Sequence, residues 1–296
     1  MLRDYLLNSY DFWTPAYHRN ATKLQRFLSR GSKIVGKISV ADYVDIIIAL
    51  GRVRSMFAPK HVYIVNAGSS GSHWIEAMLG MMPGFYGGGE IYLPSKLLDY
   101  FSSISINEAN IALDTIYLAH VGCVHKDSLC AFVGNTAHLA NHYKMSNFSI
   151  NKKILLLLRN PLDVVISRTF RKDEYKEYIA SGLSDRQYLK QNCIYVENFY
   201  KNLDFESFDM VIRYENFLES PRVNLEKIIE LIDLSVSEAD IERAIVMTSI
   251  DSAKRNVDNG KKAITNIYLG NKKEYNWAKD YVCERLGDII SKLGYV

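Results

Sequence analysis

Apolar positions near the start of the chain recur on a helical spacing. Tyr43–Phe57 places them three and four apart, and Ala58-Pro59 closes the pattern, so residues 1–58 are predicted to be helical. The rhythm then changes. His61–Asn66 is rich in β-formers, Ala67–Ser72 is a loop of small residues, and Trp74–Met82 is built of good helix formers that stop at Pro83-Gly84. An irregular Gly-rich stretch, Pro83–Glu90, precedes a helix through Leu93–Ser102, and Ile111–Val124 and Leu129–Val133 read as strands or buried segments. Lys152–Leu158 carries its apolar residues without alternation, as a strand covered on both faces does. Asn160-Pro161 breaks it, and Leu162–Phe170 follows as a helix with proline near its first turn.

Beyond that lie a long helical segment over 173–203, a strand at Phe208–Arg213, and helices from Ser220-Pro221 to Leu231 and over Ser235–Thr248. Asp251–Asn276 is polar, rich in Lys and Asn, and predicted to be a mobile loop; Trp277–Leu293 is a last helix, with Gly294 as its cap. Strands alternating with helices predict a three-layer α/β/α fold with a central parallel sheet. The helical segment 1–58 is expected to pack on a main domain formed by 59–296.

Composition narrows the function classes. A chain of 296 residues can bury one large α/β core. The formal charge of +3 suits a small anionic ligand at a local site and is too weak to indicate nucleic acid. The four cysteines (Cys123, Cys130, Cys193, Cys283) lack the spacing of a zinc site or disulfide framework and read as reduced core thiols. Arg3, Asp4, Asp11 and His18 interrupt the N-terminus, so it has no signal-peptide apolar region. No run reaches membrane-span length. The expected location is cytoplasmic, with peripheral membrane contact left open; nothing in the sequence sets the oligomeric state.

Two junctions carry chemistry. In Val65-Asn66-Ala67-Gly68-Ser69-Ser70-Gly71-Ser72-His73-Trp74, glycines let the backbone approach a ligand, and the helix that follows offers unpaired N–H groups. A plain strand-to-helix turn with a serine cap is the alternative. The loop fails the ATP/GTP pattern, because Gly71 is followed by Ser72 and His73 and no Lys or Arg lies between His61 and Lys96. At the second junction, Leu158-Arg159-Asn160-Pro161-Leu162-Asp163-Val164-Val165-Ile166-Ser167, Arg159 ends a buried strand where open α/β sheets bind ligands. Arginine makes charge-assisted, often bidentate bonds to phosphate, and Ser167 lies eight residues on.

This second segment resembles the 3′-phosphate motif of sulfotransferases that use 3′-phosphoadenosine 5′-phosphosulfate (PAPS). Ser70-Gly71-Ser72-His73-Trp74 is similar to that family's 5′-phosphosulfate loop, and Arg213-Tyr214-Glu215-Asn216-Phe217 followed by Pro221 to its Y-E-x-L…P segment. The terminal Leu293-Gly294-Tyr295 also resembles many members. The resemblance covers roughly 60–296 and implies a P-loop nucleotide-kinase-like sulfotransferase fold. It implies PAPS as donor, PAP as product, and no required metal. Ser69, Ser70, Gly71, Ser72 and His73 would hold the 5′-phosphosulfate, Trp74 and Tyr214 would sit by the adenine, and Arg159 and Ser167 would bind the 3′-phosphate. Of the basic cluster Lys254, Arg255, Lys261, Lys262, Lys272 and Lys273, the pair Lys261 and Lys262 would help clamp that phosphate.

One position departs from the family. Ser69 stands where a Lys or Arg is usual, which leaves His73 or a lid lysine to supply positive charge at the bridging oxygen. For the general base the resemblance offers two residues: Glu90, after the Gly-rich stretch, and His138, 21 residues before Arg159. His120 reads as structural. The acceptor is expected to be a carbohydrate, glycolipid or small molecule with a hydroxyl or amine. A small-molecule or nucleotide P-loop kinase, or a PAP-binding protein with little transfer activity, are the competing readings.

Overall fold

The computed structural model describes residues 1–28, 38–91, 93–122, 132–137, 144–170, 173–249, 251–252 and 275–295. Five strands form one sheet: β1 (His61–Val65), β2 (Phe85–Gly87), β3 (Phe132–Ala137), β4 (Lys152–Leu158) and β5 (Met210–Arg213), in the order β2-β3-β1-β4-β5. The β2–β3 and β4–β5 ladders are parallel, Phe85 facing Phe132 and Leu158 facing Arg213. The protein is thus a mixed α/β chain with a parallel sheet flanked by helices. All five residues of β1, and Ile154–Leu158 of β4, are buried, as strands covered on both faces must be.

Two compact units divide the residues. The first comprises Met1–Tyr63, Leu79–Ala137 and Asn141–Lys153; the second comprises Ile64–Met78, His138–Ala140 and Ile154–Val296. In the first, helices α1 (Leu2–Asn8), α2 (Tyr10–Leu28) and α3 (Val40–Ser55) pack on one another. Trp13 stacks on Tyr43 at 5.7 Å and donates its indole N–H to the Leu6 carbonyl. In the same unit, α5 spans Ser95–Ser102 and α6 spans Ile106–Val121, while α4 (Ser72–Leu79), after the loop that follows β1, belongs to the second unit up to Met78.

Helix α6 decides between the two expectations at Ile111–Val124: the segment is buried, and it is a helix rather than a strand. Its middle, Ala112–Ala119, is buried throughout, so no polar face marks the helical period. The signals were local: Ser105 and Glu108 form a capping box, and Gly122 closes the helix at φ 71°. Strand β2 lies inside the Gly-rich stretch that had looked irregular. β3 begins at Phe132, three residues after the start of the expected Leu129–Val133, and runs on to Ala137.

In the second unit, Pro161 opens α7 (Pro161–Phe170). The predicted helix over 173–203 is two helices, α8 (Asp173–Ala180) and α9 (Asp185–Lys201). Gly182 at φ 86° and a Ser184–Gln187 capping box separate them. Then come α10 (Tyr214–Glu219), α11 (Pro221–Ile232), α12 (Glu238–Thr248) and α13 (Asn276–Lys292). The polar segment expected to be a loop lies mostly outside the described residues. Cys193 is buried, which pushes its thiol up to about 11, but Cys283 is exposed on α13, against its reading as a core thiol. Cys123 and Cys130 lie outside the described residues. No helix among the described residues is long and apolar enough to cross a membrane.

Candidate functional site

The site grows from the carboxyl ends of β1 and β4, neighbours in the sheet. After β1 the chain turns on Asn66. Its side-chain oxygen accepts from Gly68 N at 2.9 Å, and its amide donates back to the Ile64 carbonyl at 3.1 Å. Gly68 (φ 73°), Ser69 (φ 52°) and Gly71 (φ 92°) all take left-handed backbone. For Ser69 that is a strained conformation in a loop rather than a free choice. Gly71 has a second reason to be glycine: a Cβ there would sit 2.5 Å from the Tyr214 ring. Ser72 then begins α4, and Trp74 and Ile75 donate to the Gly71 carbonyl.

Arg159 directly follows β4 and reaches across to this loop. Its Nη1 donates to the Ser69 carbonyl at 2.7 Å, and its guanidinium lies 4.6 Å from the Tyr214 ring centroid. Trp74 meets Tyr214 edge-on at 6.2 Å and Phe217 at 5.5 Å. Ser167 is buried on α7. The structure therefore brings together the loop Ser69–Trp74, Arg159 and Tyr214, with Ser167 on the helix that Arg159 introduces.

Three polar atoms in this cluster are buried without a hydrogen-bond partner among the described residues: Ser69 Oγ, Trp74 Nε1 and Arg159 Nε. Leaving such atoms unpaired costs about 1–3 kcal/mol each, more for a charged group. An anion's oxygens are acceptors of the kind that a hydroxyl and a guanidinium can take. His73, on the first turn of α4, has Nδ1 3.7 Å from Oε2 of the largely buried Glu76.

Sequence reasoning missed the residues that hold the arginine in place. Glu215 Oε1 accepts from the Asn160 backbone N–H at 2.9 Å, and its Oε2 accepts from the Tyr295 hydroxyl at 3.0 Å. The Tyr200 hydroxyl donates to the Arg159 carbonyl at 3.0 Å. Burial pushes the Tyr200 hydroxyl well above its ordinary range, so it stays a donor. Arg168 grips the loop from its other side. It donates to the Ala67 carbonyl at 3.2 Å and to Asn192 at 3.1 Å, and lies 4.1 Å from the Tyr195 ring centroid. The Y-E pair in the sequence was the available signal for Glu215; Arg168, Tyr195 and Tyr200 carried none.

Glu90 belongs to the first unit. It follows Gly88 and Gly89, whose backbone pairs with Gly134 and Thr136 alongside β3, and it is half-buried. His138, Lys261 and Lys262, with the rest of the basic cluster, lie outside the described residues.

The fold and the paired motifs define a class, and comparison of the sequence with protein families identifies it. The sulfotransferase domain matches residues 59–280, and the chain belongs to that family. No curated protein sequence matches the chain. Among solved structures it is similar in fold to a mouse sulfotransferase complexed with PAP, at TM-score 0.50 and 16% identity over 82% of this chain and 92% of that one. A sulfotransferase from Mycobacterium tuberculosis aligns at TM-score 0.45 and 12% identity over 97% and 93%. The sulfotransferase domain of the curacin biosynthetic pathway aligns at 0.45 and 14% over 80% and 98%.

Proposed function

We propose that this protein transfers a sulfuryl group from PAPS to a hydroxyl or amine of a carbohydrate, glycolipid or small molecule. The observation that carries this reading is the cluster of unpartnered polar atoms on Ser69, Trp74 and Arg159, where two family motifs meet. PAPS supplies an activated sulfuryl group on a nucleotide that bears a separate 3′-phosphate. In this reading the loop from Ser69 to His73 offers its backbone N–H groups and serine hydroxyls to the 5′ end. Arg159 and Ser167 hold the 3′-phosphate, and Trp74 and Tyr214 flank the adenine. Lys261 and Lys262 close over the phosphate.

Ser69 cannot supply the positive charge usual at its position. We assign that task to His73, for which Glu76 supplies a counter-charge at 3.7 Å. Glu90 takes the acceptor's proton, with His138 as the alternative base.

Thermal unfolding tests the donor. PAP at a hundred times its dissociation constant should add about 2.7 kcal/mol of stability, and AMP at the same concentration much less. Equal shifts from PAP and AMP would remove Arg159 and Ser167 from the site, and magnesium-dependent ATP turnover would turn the reading to a kinase. Tight PAP binding with no transfer to any acceptor would leave a PAP-binding protein. The base is tested by Glu90→Gln, which should lower turnover by roughly two to four decades while leaving PAP affinity near wild type. His138→Asn should cost less. The reverse order moves the base to His138, and wild-type rates in both variants leave His73 as the residue to test.

A further inference from the structure

Beside the edge strand β5 lies a cavity of about 820 Å³. That is the size of a small-molecule pocket. None of the loop residues Ser69–Trp74, nor Arg159 or Ser167, lines it. Its walls come from β5 and the end of β4, the end of α9 and Phe205 beyond it, α10 and α11, and the last turns of α13. Two features of the lining point to a ligand.

The first is apolar surface left open. Phe205 is 42% exposed and Val211 44% exposed, although both face a concave wall that also includes Leu158, Ile212 and Leu293. Large side chains at that exposure in a cavity, rather than scattered singly, mark a surface that something covers. The second is charge. Lys201, Arg213, Lys227 and Lys292 line the cavity, against one carboxylate, Asp288. Glu197 holds Lys201 at 2.6 Å, and Arg213 is spent on the Leu293 carbonyl at 2.5 Å. Lys227 and Lys292 are exposed and have no ion-pair partner among the described residues.

We propose that this cavity binds an amphiphilic monoanion: an apolar body lying against Phe205 and Val211, with a carboxylate between Lys227 and Lys292. The proposal does not depend on the sulfotransferase reading, because the two sets of residues are separate. The walls do share a partner with the donor motif, since Tyr200 lines the cavity and also holds the Arg159 carbonyl.

The test is calorimetric titration of the full chain with decanoate, with and without saturating PAP, and with decanol and acetate as controls. Decanoate should bind once per chain in both conditions, and decanol and acetate at least about tenfold more weakly. Lys227→Glu with Lys292→Glu should weaken decanoate about tenfold, a loss of 1.4 kcal/mol. Val211→Trp, which puts a bulky ring where the apolar body would lie, should weaken decanoate at least about tenfold. Both variants change exposed positions and should keep wild-type melting temperature and PAP affinity. Displacement of decanoate by PAP would assign the binding to the donor site and overturn the proposal. So would undetectable binding, equal affinity for decanol, or affinity unchanged in both variants. If PAP does not bind at all, the titration without PAP still decides the cavity, and only the donor reading fails.

Discussion

Two polar clusters in this protein follow opposite rules. In the first unit, Arg54 Nε lies 2.8 Å from Asp114, which lies 2.8 Å from His61 Nε2. His61 Nδ1 pairs with Ser149 Oγ at 2.8 Å, Ser149 with the Tyr63 hydroxyl, and the Tyr117 hydroxyl donates to Tyr63 at 2.7 Å. Arg54, Asp114 and His61 are at most 1% exposed, and each residue has a partner inside the chain, although Asp114 Oδ2 meets Arg54 Nε as an ion pair outside hydrogen-bond geometry. The order Asp–His–Ser has the composition of a hydrolytic triad, yet burial closes it to any substrate. In the second unit, Ser70 and Ser72 of the Ser69–Trp74 loop are buried, its other residues and Arg159 are half-buried, and three buried polar atoms of the cluster have no hydrogen-bond partner among the described residues. A network that closes on itself is structure. One that leaves buried polar atoms without a partner has hydrogen-bonding capacity that the described residues do not use.

The largest expected effect breaks the closed network. Asp114→Ala leaves Arg54 buried without its carboxylate and His61 without its acceptor, and should cost roughly 3–5 kcal/mol of unfolding free energy. Denaturant titration measures this. PAP affinity of the folded fraction should stay within a factor of two. A loss under 1 kcal/mol would show that the buried network is not what holds this unit, and the contrast would fail on its structural side.

Arg159→Ala should do the reverse. One hydrogen bond to the Ser69 carbonyl and a contact with Tyr214 disappear, so stability should move little. A charged hydrogen bond to phosphate is worth roughly 1.5–3 kcal/mol, so PAP affinity should fall by about one to two decades. Calorimetry with PAP and AMP reads it directly, because AMP binding should hardly change. An equal loss for both nucleotides would make Arg159 a support of the loop rather than a phosphate ligand.

Much of this second cluster could be read from local sequence. An arginine at the end of an unbroken apolar strand, followed by Asn-Pro, has few places to go in an open α/β sheet. Glycines 68 and 71 announced a backbone that turns left-handed after β1. What could not be read were partners far apart in sequence. Glu215 reaches Asn160, Arg168 reaches Ala67, and Tyr295 reaches Glu215 only because β4 and β5 pair and α7 packs where it does. The closed network was invisible for the same reason: Arg54, His61, Asp114 and Ser149 belong to four separate segments. Helix α6 could be read only as a strand or a buried segment, because burial on every side removes the period from which helices are recognised.

The contrast has exceptions, and the smallest predicted effect comes from one of them. Tyr188 Oη and His120 Nε2 are also buried without a hydrogen-bond partner among the described residues, and neither lies on a motif. For His120 this has a thermodynamic signature. Burial pushes its imidazole down to about 4, so it is neutral in the fold at neutral pH, while an unfolded histidine titrates near its reference value of about 6.5. Between those values the unfolded chain binds more protons than the folded one, so stability falls as pH drops through that window and levels off below it. From pH 7 to pH 6 the loss should be about 0.7 kcal/mol. His120→Leu removes both the unpaired nitrogen and the titration, so its stability should change less than wild type's over that unit of pH. Parallel pH curves for the two proteins would mean that His120 reaches solvent, and its unpartnered nitrogen would then carry no cost at all.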